Sequence, residues 1–194
     1  MIILPNASMV ATPTVIDNGF FQRGALGGST SRFNRKGNRY KLSVSAGPFY
    51  PDIGRQWVAD LIAGKQEGVR MLFPLQWPQG SPGAPLVAGA QTGGTSLTLD
   101  GLTPNYVAKK GYFLTLINAA GRRYLHSVKT TSKANDAGAI TITLNEEMRH
   151  PFADNAVCLL SKPEIEGLID GNEWSWDFNA NQVIPISFTL EEYE

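Results

Sequence analysis

Charge, histidine and cysteine are all scarce in this chain, and each scarcity removes a class of function. Charged residues make up 18% of the 194, against about 25% in an average globular protein. Seventeen basic and seventeen acidic side chains cancel, so no net field draws in nucleic acid or an anionic membrane. The single cysteine, Cys158, has no partner for an internal disulfide, and its setting in Val157-Cys158-Leu159-Leu160 is that of a small buried hydrophobe. Without a disulfide framework, nothing argues for an oxidising compartment. The two histidines, His126 and His150, stand alone, with no ligand set at helical or finger spacing, so the sequence predicts neither a metal site nor a cofactor. His126 lies between Tyr124 and Val128 in an alternating segment, where a hydrogen-bonded structural histidine is the expectation; His150 falls in a loop near a strand end. No run reaches the ~18 apolar residues of a membrane-spanning helix, so no membrane insertion is expected. The opening MIILPNASM lacks the basic stretch and apolar core of a secretory leader.

Catalytic signatures are missing as well. There is no GxSxG, P-loop, GxGxxG or HExxH. Gly27-Gly28-Ser29-Thr30 and Gly93-Gly94-Thr95-Ser96 are glycine-rich but lack the lysine and spacing of a phosphate cradle. The carboxylates Asp136, Glu146, Glu147, Glu164 and Glu166 form no recognisable pair, and adjacent Glu146 and Glu147 on an extended segment point to opposite faces. No catalytic residue is predicted, and the chain is not expected to be an enzyme. Trp174 and Trp176 alternate on one side of a segment, as core aromatics do and as a sugar-stacking platform would.

What the chain does contain is β patterning. Residues 83–155 are a glycine-punctuated series of short alternating runs. Leu97 and Leu99 precede Asp100-Gly101, and Phe113 to Ile117 lead to Asn118-Ala119-Ala120-Gly121. Tyr124, His126 and Val128 alternate next, and Asn135-Asp136-Ala137-Gly138 opens onto Ile140, Ile142 and Leu144. Period-two alternation bounded by Gly, Asn and Asp predicts antiparallel strands joined by tight turns. Upstream, residues 2–4 and 14–16 are short strand candidates, and 19–37 read as a Gly/Ser/Arg loop. Its Arg23, Arg32, Arg35 and Lys36 are candidates for contact with an acidic partner surface, or are simply solvated. A strand follows over 39–45. Trp57, Val58, Leu61 and Ile62 give a helix over about 52–65, stopped by Gly64 and Gly68. Val69, Met71 and Phe73 form another strand, and the Pro/Gly-rich stretch 76–85 is the best boundary in the chain. Downstream, 156–160, 173–178 and 182–190 are expected strands. In the last, Ile184, Ile186, Phe188 and Leu190 share a face, and Pro185 requires an edge position or a bulge. The layout predicts a body built from residues 1–82 and 156–194, with 83–155 inserted as a separate module.

The order PLQWPQG, GAPLVAGAQTGGTSLTLDG, KKGYFL, GRRYLHSV, NDAGAITITLNEEMRHPF and VCLLSKPEIEG resembles a family of small tail proteins of long-tailed bacteriophages, the distal tail or tail-hub class. The resemblance covers roughly residues 39–168. Its most specific parts are Val87-Ala88-Gly89-Ala90-Gln91-Thr92-Gly93 and Asp136-Ala137-Gly138, which are scaffold motifs and mark no active site. Asn145-Glu146-Glu147-Met148-Arg149 departs from a Pro-Pro-Leu-Arg pattern associated with the family, and the first forty residues match nothing in it. The resemblance implies a mainly β protein: a tail-tube-like β-sandwich with one flanking helix, carrying a small inserted β-barrel. It implies a virion protein, assembled in the host cytoplasm into a homo-oligomeric ring, of six subunits by analogy with tail tubes. Such a ring would join the tail tube protein to tail-tip and hub proteins. The sparse charge and the apolar Ile184, Ile186 and Phe188, taken as an edge strand, would suit subunits that bury surface on assembly, as would the Arg23 to Lys36 loop. A tail terminator, a head–tail stopper and a carbohydrate- or receptor-binding tail module are the alternatives.

Overall fold

In the computed structural model, which describes residues 1–24, 27–177 and 183–193, the alternation that starts at Arg39 continues to Phe49 and buries Tyr40, Leu42, Val44 and Ala46 on one face. The C-terminal strand Ile184–Glu191 pairs antiparallel with it, setting Phe188 opposite Val44 and Leu190 opposite Leu42. Directly opposed residues share a face, so Ile184, Ile186, Phe188 and Leu190 complete the same apolar surface. The pair lies inside a six-stranded sheet ordered Ile2–Ile3, Val69–Leu72, Glu164–Ile169, Ile184–Glu191, Arg39–Phe49, Met9–Ile16. Strands from both ends of the chain therefore share one sheet. Pro185 sits at a register shift between Ile184 and Ile186, the bulge its missing N–H calls for, and the strand's second neighbour pairs only with Leu190 and Glu191, farther along.

The two edge strands are joined by a short connection. On a flat sheet, five spacings of about 4.8 Å would set them about 24 Å apart. The six residue steps from Ile3 to Met9 reach at most about 21 Å. The sheet therefore curls, and Leu4 is buried in its core.

The helix Pro51–Glu67 covers part of the curled face. Trp57 and Leu61, one turn apart, are its deepest side chains, and Trp57 meets Phe49 and Phe188 at ring-centroid distances of 5.4 and 6.4 Å. Gly64 does not stop the helix. It lies within it and against the sheet, where a Cβ would sit 2.3 Å from Val69 Cγ2. Gly68 ends the helix, its N–H donating to the Gly64 carbonyl at 2.8 Å. Beside the helix, Phe113 and Leu125 of the insert pack on the same core. The sheet is thus backed by a helix and the insert rather than by a second body sheet. Its other face shows Thr12, Ser43, Ser45 and Ser187 to solvent. The protein is mainly β with one helix.

The insert has its own core, with Leu97, Leu99, Leu114, Leu116, Ile142, Leu144 and Phe152 all but fully buried. One three-stranded sheet joins Gly83–Val87, Ser96–Leu102 and Ile140–Thr143; another joins Arg123–Ser127, Phe113–Ile117 and Cys158–Leu159. Single bridges, Leu86 to Val157 and Val128 to Leu144, link the two at both edges. The circuit is closed through these bridges, not through a continuous barrel ladder. The 156–160 strand belongs here and not to the body, because Cys158 and Leu159 pair with Leu116 and Thr115. At the turn before Ile140, Asn135 Oδ1 accepts the Ala137 and Ala139 N–H groups at 3.0 and 2.8 Å. Gly138 turns there with φ 75°. Residues 173–177 are not a strand, and residue 178 lies outside the described residues.

Candidate interaction surface

The strand Met9–Ile16 is one edge of the body sheet. Among the described residues no strand pairs with its outer side, and Val10 and Val15 are exposed on it. An eight-residue open edge is a template for another chain. Three residues further on, the chain makes a small hairpin, Phe20–Gln22 with Ser31–Phe33. This segment was expected to be a loop. Its exposed rings carry the structure: Phe20 and Phe33 stack at 5.2 Å, yet Phe20, Phe21 and Phe33 remain 43%, 59% and 45% exposed. An isolated two-stranded hairpin is marginal in water, and burying such rings is worth about 1.5–3 kcal/mol each.

The predicted basic residues divide here. Arg32 lies 5.3 Å over the Phe21 ring and pairs with Asp17; Arg35 lies 4.8 Å over Phe20. Both guanidinium groups thus brace the hairpin. The Gly19 N–H, 2.9 Å from Asp17 Oδ1, together with Arg32 holds the Asp17 carboxyl below its ordinary range. Arg23 is exposed, while Lys36 turns to the insert, its Nζ beside Gly93. The structure therefore gathers Arg32 and Arg35 with the aromatics and sends Lys36 elsewhere. Ile184, Ile186 and Phe188, expected at an interface, are instead in the core at 6%, 0% and 5% exposure. Their apolar face is covered by the helix, Phe188 lying against Trp57 and Ile184 against Gly54.

At the junction of body and insert lies a buried polar cluster that sequence reading missed. Glu192, just past the last body strand, accepts the N–H groups of Tyr40 and Leu125, both at 2.8 Å. Arg149 Nη2 lies 2.9 Å from its Oε2, an ion pair close in distance but poorly aligned as a hydrogen bond. Burial pushes the Glu192 carboxyl up, with Arg149 and the two backbone donors opposing. Glu146 accepts the Tyr40 hydroxyl and the Ser127 N–H and Oγ, the latter two at 3.1 and 2.8 Å. His126 is fully buried beside them, its Nδ1 3.9 Å from Glu146 Oε2, and neither ring nitrogen has a hydrogen-bond partner. It is structural, as expected, but not hydrogen-bonded. Burial, seconded by Arg149, lowers its pKa to about 3, so the imidazole is neutral and forms no ion pair at neutral pH. Arg123 adds an outer tie, pairing with Glu164 and standing 3.6 Å from Glu166. Three residues, Tyr40, Leu125 and Glu192, bridge segments up to 152 positions apart, and no local motif signals that.

Cys158 is buried, with its thiol pushed up to about 12. His150 is engaged with the Tyr124 ring at 5.5 Å. Glu147 is exposed where its neighbour Glu146 is buried. Among the described residues no group of three or more His, Cys, Asp or Glu is placed to hold a metal ion, and no helix is long and apolar enough to cross a membrane. Compared with known protein families and with curated proteins, the chain matches none.

Proposed function

We propose that this chain is a structural subunit of a long-tailed bacteriophage tail, forming a ring between the tail tube and the tip. The observation that carries the reading is the open Met9–Ile16 edge running into a hairpin with three exposed phenylalanines. One surface offers backbone donors and acceptors, the other apolar rings, and they differ from one another. A contact between unlike patches of identical copies is head-to-tail, and such contacts close into rings when the rotation allows. The resemblance in the segment order supplies the context: a tail hub, with tube and tip proteins as neighbours. The body forms the ring, and the insert, fixed to it by the buried cluster, stands as a rigid attachment.

Negative-stain imaging of the purified chain tests this. Closed rings with a constant subunit number, six by analogy with tail tubes, are the expected result. Single particles of one subunit at every concentration, and in the presence of tail tube protein, would count against it.

A further inference from the structure

We propose that the cleft between the end of the helix and the Trp174–Trp176 segment is a saccharide-binding site. The cleft has a volume of about 940 Å³ and is walled by Ile62, Lys65 and Gln66 on one side and Trp174 and Trp176 on the other. Each wall is fixed. The Trp174 indole N–H donates to the Ser187 carbonyl at 2.7 Å, and its ring packs on the body core. Trp176 lies against it, centroids 5.2 Å apart and planes 30° from parallel. Lys65 Nζ donates to the Gly171 carbonyl, tying the rim to the last turn of the helix.

The chemistry of the lining selects the ligand class. Gln66, Asn172 and Glu173 line the cleft, and none has a side-chain hydrogen bond among the described residues. Two carboxamides and a carboxylate, each able to take a pair of neighbouring hydroxyls, thus surround two half-buried indoles. A pyranose presents that combination: an apolar C–H face for the rings and a fringe of hydroxyls for the amides. The one cation in the lining, Lys65, gives one of its three N–H groups to the Gly171 carbonyl, and the Glu173 carboxylate in the same lining offsets its charge, so the cleft carries no net positive charge for an anionic ligand. Pockets of this size bury ligands of a few rings, so an oligosaccharide of two to three sugars is the fitting occupant.

The site is independent of the ring reading, since it can be tested whatever the oligomeric state. Cellotriose, maltotriose, β-1,4-galactotriose and triacetylchitotriose are each titrated into the full chain by isothermal calorimetry. At least one should give a saturable isotherm in the millimolar range or tighter. Trp176→Ala should weaken it at least ten-fold with an unchanged circular dichroism spectrum. Gln66→Ala, an exposed helix change, should weaken it several-fold and serves as the test if the tryptophan variant misfolds. Absence of binding for all four sugars, or binding that both variants leave unchanged, overturns the proposal.

Discussion

The junction between body and insert buries charge, while the hairpin beyond the sheet edge exposes aromatic rings. At the junction, Arg149, Glu146 and Glu192 are almost fully withdrawn from water; on the hairpin, Phe20, Phe21 and Phe33 are about half exposed. Each inverts the usual placement of its residue type. Buried ions are tolerable only when their partners are fixed, so the junction is an interface made once, in folding, with a single register. Exposed rings are tolerable when they await a surface, and on the ring reading proposed above the hairpin is the interface made later, in assembly. On that reading the two regions separate folding contacts from assembly contacts within one chain.

That separation can be broken deliberately. The largest effect belongs to Phe188→Asp, which puts an unpaired carboxylate beside Trp57 in the body core. A loss of more than about 4 kcal/mol is expected, and circular dichroism should show no folded protein. Arg149→Met comes next. It leaves Glu192 buried without its cation, and the urea midpoint should report a loss of about 3–5 kcal/mol.

The third effect depends on pH. The folded-state pKa of His126, about 3, lies below the ordinary histidine value of 6.5, so the unfolded chain takes up the proton first. Stability from this group is fully present above pH 6.5 and falls as the pH drops towards 3, by about 1.4 kcal/mol per unit. Between pH 6.5 and 5 the wild type should therefore lose about 2 kcal/mol more than His126→Gln, a difference that cancels the contributions of Glu192 and other carboxylates. Assembly at pH 7.5 should survive that substitution. The smallest effect on stability belongs to the hairpin: Phe20→Ser with Phe33→Ser should change the unfolding free energy from urea titration by about 0.5 kcal/mol or less.

The same division governs what the sequence reveals. The helix is legible because Trp57 and Leu61 lie one turn apart, and the strands of the insert because Leu97, Leu99, Ile140 and Ile142 alternate between glycine turns. Those signals are local. Pro185 calls for an edge position or a bulge, but only the neighbouring strands decide between them, and they come from residues 39–49 and 164–169. Ile184, Ile186 and Phe188 were misplaced for that reason. The hairpin hid behind its Gly/Ser composition, although the aromatics flanking it at Phe20 and Phe33 were a usable sign. Glu192 and Tyr40 meet across 152 positions, and nothing near either residue announces the other. Trp174 and Trp176 were noted as a pair, whereas the helix wall that makes a cleft of them is contributed by residues 62–66.

The central claim is that the hairpin serves assembly and not folding. Light-scattering mass of the wild type and of the Phe20→Ser/Phe33→Ser variant, run side by side at equal concentration, tests it most directly. A closed multiple of the 21.1 kDa chain for the wild type, and a folded single subunit for the variant, is the predicted result. Equal masses for the two proteins, or a variant that no longer folds, would contradict it.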